Sequence, residues 1–321
     1  MFKKVQSKVT TMKKIIVALL LLVAAAVALS FAFPEKLLEL GRSSERGKAG
    51  LEQKSIVIDG ETWHYLEGGN AKGQTLVMVH GFGADKDNWT RMAPFIKDGY
   101  HLVAMDLPGF GESARHKDWN YAPSQQVPRL HKFLESIGVK QHHIVGNSMG
   151  GHIAIAYTAK YPNKVITLGL INNAGIKAPE KSEMIKIMET GVNPLLVESV
   201  EDFDRMLDFV FVNPPKIPKP IKRYFAQKAV EHRDFNQFIF EQYAAERGAS
   251  MESALAGVSQ PIFVLWGDQD QLIHVSTTDA MKPLMQNGTT VVLKDVGHAP
   301  MIEVPEVTAG HYKTFLEKNG S

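Results

Sequence analysis

The chain has 321 residues, 44% of them apolar, enough to bury a full-sized core as one large domain or as one domain carrying an insertion. Its formal charge of +2 conceals an asymmetry: residues 1–34 contain Lys3, Lys4, Lys8, Lys13 and Lys14 and no acid, which leaves the remainder at 2 − 5 = −3. A slightly acidic body without a lysine-arginine stripe argues against nucleic acid as a partner, and the absence of cysteine excludes disulfides, thiolate catalysis and a cysteine-held metal.

Residues 1–14 form a basic N-terminal segment, and 15–33 an apolar run broken only by Ser30. The run exceeds the about 7 to 15 residues of a signal-peptide core and approaches the roughly 20 that cross a bilayer, so it reads as a retained transmembrane anchor. A cleaved signal, with Ala28-Leu29-Ser30 as a small-x-small site, is the alternative. Either one places the body outside the cytoplasm, and five basic residues before the run against four soon after it (Lys36, Arg42, Arg46, Lys48) lean the same way. Residues 34–53 are charged, contain glycine and lack apolar periodicity, and read as a tether.

From residue 54 short apolar runs recur at 55–58, 63–66, 75–79, 101–105, 142–145, 165–171, 262–266 and 290–293, with helical patterns such as 125–137 and 151–160 between them. Several runs lack polar alternation, as strands covered on both faces do, and the alternation of strand and helix predicts a mainly parallel α/β sheet with an antiparallel pair at its start. Between 177 and 258 the strand rhythm stops and amphipathic segments replace it, broken by Pro214-Pro215-Lys216-Ile217-Pro218-Lys219-Pro220. The expected organisation is a core of 54–176 and 259–321 with a helical cap of 177–258. The cap's methionines and aromatics, Tyr224, Phe225, Phe235, Phe238, Phe240 and Tyr243 among them, read individually as cap core, and as a group they could line an acyl pocket.

Gly146-Asn147-Ser148-Met149-Gly150 follows directly on the strand-like 142–145. A G-x-S-x-G pattern alone arises by chance in roughly one chain of this length in ten, so its context decides. A serine between strand and helix, with glycines two before and two after to let the backbone pass, is a nucleophile elbow. Its hydroxyl needs a base, and the base needs a carboxylate to hold its tautomer. The chain supplies both on strand-then-loop segments in the order serine, acid, histidine: Trp266-Gly267-Asp268-Gln269-Asp270, then Val296-Gly297-His298. The residues alone leave Asp268 and Asp270 both open.

With His80-Gly81-Phe82-Gly83, Asp106-Leu107-Pro108-Gly109-Phe110-Gly111 and Gly297-His298-Ala299-Pro300 added, the body resembles a serine α/β-hydrolase from about residue 54 to the C-terminus. Within that superfamily the anchor, Asn193-Pro194-Leu195-Leu196, Glu201-Asp202-Phe203 and Pro214-Pro215 are similar to bacterial lipases of the family V group and to membrane-anchored monoacylglycerol lipases. The resemblance implies Ser148 as nucleophile, Asp270 as acid and His298 as base. It implies oxyanion donors in the backbone N–H groups of Phe82 and Met149, with His80, Gly81, Gly83, Gly146 and Gly150 shaping the elbow and the oxyanion loop. His142, His143 and His152 are expected to be scaffold, and Asp106 to support a turn.

The expected function is hydrolysis of acylglycerols or related lipid esters through an acyl-enzyme, with a membrane partner through 15–33 and with no metal or organic cofactor implied. A carbon-carbon bond hydrolase of the meta-cleavage type is the alternative on the same fold. A silent binding protein on this fold would be favoured only by loss of a triad member.

Overall fold

The computed structural model describes residues 2–247 and 251–320, with side chains from residue 12 onward except at Arg247. Met1 of the basic segment and residues 248–250 of the cap therefore lie outside the described residues. Helix α1 (Phe2–Ala32) contains Met12–Ala32, long and apolar enough to cross a membrane and nowhere buried against the body. A buried core helix would show the opposite.

The tether expected at 34–53 is instead ordered structure. Helix α2 (Pro34–Ala49) begins with a proline at its first turn and ends on Gly50 at φ 66°, and Arg46 and Ala49 on it are buried. Strand β1 (Leu51–Ile58) then opens the body three residues before the expected start. Charges suggested a solvated linker, but Arg42 and Arg46 face carboxylates of the body rather than water.

β2 (Glu61–Gly69), β3 (Gln74–Val79), β4 (Tyr100–Met105), β5 (His142–Asn147), β6 (Val165–Ile171), β7 (Ile262–Gly267) and β8 (Gly288–Leu293) join β1 in one sheet ordered β1-β2-β4-β3-β5-β6-β7-β8. β1, β2 and β4 pair antiparallel, and every pairing from β4 and β3 onward to β8 is parallel. The period-two geometry of a strand divides the apolar runs between two cores. Val77, Val79, Ile144, Leu168, Val264 and Trp266 enter the core beneath α3 (Pro123–Ser136) and α4 (Met149–Lys160). Leu76, Met78, Val145, Ile171, Phe263 and Leu265 point the other way, toward α12 (Pro305–Asn319) and Trp89. Covering both faces is what made these strands read as unbroken apolar runs.

Between β6 and β7 lie α5 (Glu183–Met188), α6 (Val200–Val210), α7 (Lys219–Glu231), α8 (Arg233–Arg247) and α9 (Glu252–Ala256). Ser182 and Ser199 start α5 and α6 by accepting the N–H groups of Ile185 and Asp202. α6 and α7 share a small core of Val197, Phe203 and Ala226, whereas Ile239, Phe240 and Tyr243 of α8 join the main core. α8 is also tied to the start of α3, because Gln242 accepts the Tyr121 N–H at 2.6 Å and Glu246 accepts the Ser124 N–H at 3.0 Å. α9 packs on α4 rather than on the other cap helices. The remaining helices are α10 (Thr277–Met281) and α11 (Pro300–Glu303), the latter following the His298 loop.

Candidate active site

Each candidate residue stands at a carboxyl end of a parallel strand: the 80–85 loop after β3, Ser148 after β5, Asp270 after β7 and His298 after β8. Ligand sites of open α/β sheets form along this edge.

Ser148 occupies φ 56°, ψ −122°, a backbone state a side chain adopts only under constraint. The constraint is the passage of two backbones through the elbow. A Cβ on Gly146 would stand 2.2 Å from the Gly150 carbonyl oxygen, and one on Gly150 would stand 2.2 Å from that of Val79. Only glycine fits at either place. The loop after β3 also runs close by, since a Cβ on Gly81 would lie 3.0 Å from Ser148 Cβ. Among the described residues neither the Phe82 nor the Met149 N–H donates a hydrogen bond.

His298 Nδ1–H donates to Asp270 Oδ2 at 2.8 Å, and both residues are buried. Its other nitrogen, Nε2, is buried with no hydrogen-bond partner among the described residues. The structure thus brings His298 onto Asp270 and leaves the Ser148–His298 hydrogen bond unmade. Catalytic bonds of this kind often close only when substrate arrives. Asp270 Oδ2 also accepts from Asn172 Nδ2 at 2.7 Å, and its Oδ1 accepts from the N–H groups of Leu272 at 2.8 Å and Ile273 at 3.0 Å. Asp268 faces away, accepting the Asp295 N–H at 2.7 Å on the surface.

The His298 backbone is gripped from two sides. Its N–H donates to the Val210 carbonyl at the end of α6 at 2.8 Å, and its carbonyl accepts from Asn147 Nδ2 at 3.1 Å. Glu303 bridges the same region, accepting Gly297 N–H at 2.9 Å and Asn213 N–H at 2.7 Å. Sequence reading missed Asn172, Val210 and Glu303. Asn172 alone carried a readable cue, an asparagine closing a strand, and the structure places it at φ 44°.

His80 stands apart from this trio. Its Nδ1–H donates to the Gly81 carbonyl at 2.8 Å and its Nε2 accepts the Leu107 N–H at 3.0 Å, so both nitrogens are spent on the neutral ring. Burial lowers its pKa, although Asp106 opposes the shift. Asp106 ends β4 and holds the far side of the loop: it accepts the Lys86 N–H at 2.8 Å, Lys86 Nζ at 2.8 Å and the Glu112 N–H at 2.9 Å. Burial alone would lower the pKa of Lys86, but Asp106 and Glu112 outweigh it and raise it. His142, His143 and His152 are buried, and desolvation pushes each down to about 4.

α2 reaches this loop as well. Arg46 grips Asp87 with Nε at 2.6 Å and Nη2 at 2.7 Å, and Arg42 Nη2 meets Asp85 at 2.5 Å. The helix after the apolar span is thereby bolted to the segment three to five residues beyond Phe82.

The cap carries a half-open cavity of about 650 Å³ between α5, the 191–198 segment, α6 and α8, lined by Met188, Leu196, Met206, Phe209 and Phe240 and also by Glu198, Arg205 and Arg233. Phe240 links it to the site by packing edge-on against Phe82, ring centroids 5.5 Å apart. The other aromatics have packing roles: Phe235 and Phe238 meet Tyr121, Phe225 meets Phe203, and Tyr243 meets His152.

A family model described as alpha/beta hydrolase fold matches residues 74–305. The chain is 39% identical over 273 residues to Lipase 1 of Psychrobacter immobilis, covering 84% of this chain and 86% of that protein. It is 31% identical over 255 residues to a monoacylglycerol lipase of Xenopus laevis, 75% of each chain. Among solved structures, that of a membrane phospholipase A, described as a bacterial virulence factor, superposes with a TM-score of 0.88 at 44% identity, covering 96% of this chain and 99% of that one.

Proposed function

The chain belongs to the α/β-hydrolase fold family, and from that premise we propose that it is a serine lipase or carboxylesterase cleaving fatty-acyl esters of glycerol-based lipids, with Ser148, His298 and Asp270 as its triad. One observation carries the assignment of roles. His298 is clamped to Asp270 through Nδ1 while Nε2, buried and unpartnered, keeps its lone pair for a serine proton. The relatives named lipase, monoacylglycerol lipase and phospholipase A support one bond type, the ester between an acyl group and glycerol.

In this reading His298 Nε2 takes the Ser148 proton as Oγ adds to the ester carbonyl. The resulting oxyanion is met by the free N–H groups of Phe82 and Met149, each such donor being worth about 3 to 4 kcal/mol. Collapse breaks the acyl C–O bond, and His298 returns the proton to the departing glyceryl oxygen. A water that gives its proton to His298 then attacks the acyl-serine, and collapse releases the fatty acid as His298 returns that proton to Ser148 Oγ. Asp270 holds the imidazole in the tautomer that makes Nε2 basic and balances the imidazolium formed at each step.

The cap cavity lies within the range of about 300 to 1,000 Å³ usual for small-molecule sites, and its apolar lining beside Phe82 suits the acyl chain. The apolar helix Met12–Ala32 supports anchoring at a bilayer. The lysines that precede it support a body outside the cytoplasm, because Arg42 and Arg46 on the other side are already engaged by Asp85 and Asp87.

Ser148→Ala is expected to lower kcat on a soluble short-chain ester by about a millionfold in a folded protein. Turnover at the parental rate would remove Ser148 from the mechanism. Running acylglycerols of graded chain length beside a meta-cleavage dienone separates ester from carbon-carbon hydrolysis.

A further inference from the structure

We propose that the basic stretch 216–223, which spans the end of the α6–α7 connection and the first turn of α7, docks on anionic phospholipid headgroups and holds the mouth of the cap against the bilayer. From 211 to 230 the chain carries Lys216, Lys219, Lys222, Arg223 and Lys228 and no acid. Lys222 is paired with Asp204 at 2.8 Å and Lys228 with Glu231 at 2.6 Å. Lys216, Lys219 and Arg223 are exposed and have no ion pair among the described residues. This concentration of unpaired cations sits on a body whose net charge is otherwise negative, so it serves the body's own charge balance poorly and suits an anionic surface. Pro214, Pro215 and Pro218 keep residues 211–218 from extending α7 backwards and Pro220 sits in its first turn, which leaves these side chains presented, with Val212 among the exposed apolar residues.

Position selects the partner. α7 packs against α2, and α2 follows the apolar span with only Phe33 between them, so this stretch is carried on the helix that leads out of that span. Each cation brought to an anionic membrane surface strengthens the association by about fivefold. The segment also adjoins the chemistry: Val210, just before it, accepts the His298 N–H, and Asn213 within it shares Glu303 with Gly297. The proposal rests on the lipid-ester reading for its purpose, since a headgroup held at Lys216 keeps the glyceryl ester near His298, but docking can be measured without turnover.

The chain contains no cysteine, so Pro214→Cys in the full-length protein accepts a single bimane label. The labelled protein is reconstituted in phosphatidylcholine vesicles, with and without about 30% phosphatidylglycerol, each doped with a lipid bearing a headgroup nitroxide. Quenching is expected to be at least about twofold stronger with phosphatidylglycerol and to weaken as salt screens the contact. It should fall to the phosphatidylcholine level when Lys216→Glu, Lys219→Glu and Arg223→Glu are combined, in a protein whose circular dichroism and thermal midpoint match the parent. Quenching that ignores phosphatidylglycerol, or that survives charge reversal, would overturn the docking surface. Loss of ester hydrolysis in Ser148→Ala is a separate result, so docking and chemistry can fail independently.

Discussion

Two carboxylates stand two residues apart after β7, one accepting from His298 Nδ1 and the other from a surface N–H. Asp270→Asn is expected to lower kcat on the order of ten-thousandfold, because the amide presents the imidazole with the wrong hydrogen-bond partner. Asp268→Asn should change it by less than about tenfold, since it weakens only a turn contact at the surface, away from His298. Steady-state kinetics on one soluble ester rank the two, and the reverse order would move the acid to Asp268. Motif residues were legible in the sequence because their chemistry lies in side chains at characteristic spacings. Asn172, Val210 and Glu303 were not. Their contributions come from a positive φ, a backbone carbonyl and a contact across the cap, none of which a linear pattern records.

At the scale of elements, α2 is the largest departure from what the sequence suggested. All eight strands could be placed from their apolar runs, and the cap from the loss of that rhythm. α2 lacks an apolar face, and its partners Asp85 and Asp87 lie some 40 residues away, so its charges resembled those of a solvated linker. Pro34 at its start and Gly50 at its end were the available cues. Arg46→Ala leaves the nearly buried Asp87 with only Arg42 nearby, and should cost about 3 kcal/mol or more in detergent-solubilised protein. Arg46→Lys should recover less than half of that, as an ammonium cannot reproduce the two-pronged grip. A thermal midpoint unchanged in Arg46→Ala would show that α2 rides on the body without bracing it.

For the molecule as a whole, His142, His143 and His152 stay neutral in the fold, each with its pKa lowered by burial from 6.5 to about 4. In the unfolded chain they protonate near 6.5, so between about pH 6.5 and 4 the unfolded state binds more protons. The stability associated with keeping them neutral is fully present above pH 6.5 and is lost progressively as pH falls toward 4. Urea unfolding at pH 5 should take up as many as three protons at these histidines, beyond what His80 and the carboxylates contribute, and replacing His143 by asparagine should remove one of them. Uptake unaltered by that substitution would mean that His143 is already charged in the fold.

The single residue between α1 and α2 also limits where this molecule can work. A flexible linker of 16 residues would let the body roam over roughly 20 to 24 Å, sampling heights above a bilayer and even neighbouring surfaces. On the proposed anchoring, a clamped helix of 16 residues, about 24 Å long, would remove that leash and fix one working height. Supply would then become a two-dimensional problem. Turnover would be set by how fast lipids diffuse laterally to one footprint in the host leaflet, and it would respond to membrane fluidity more than to the concentration of ester in the surrounding water.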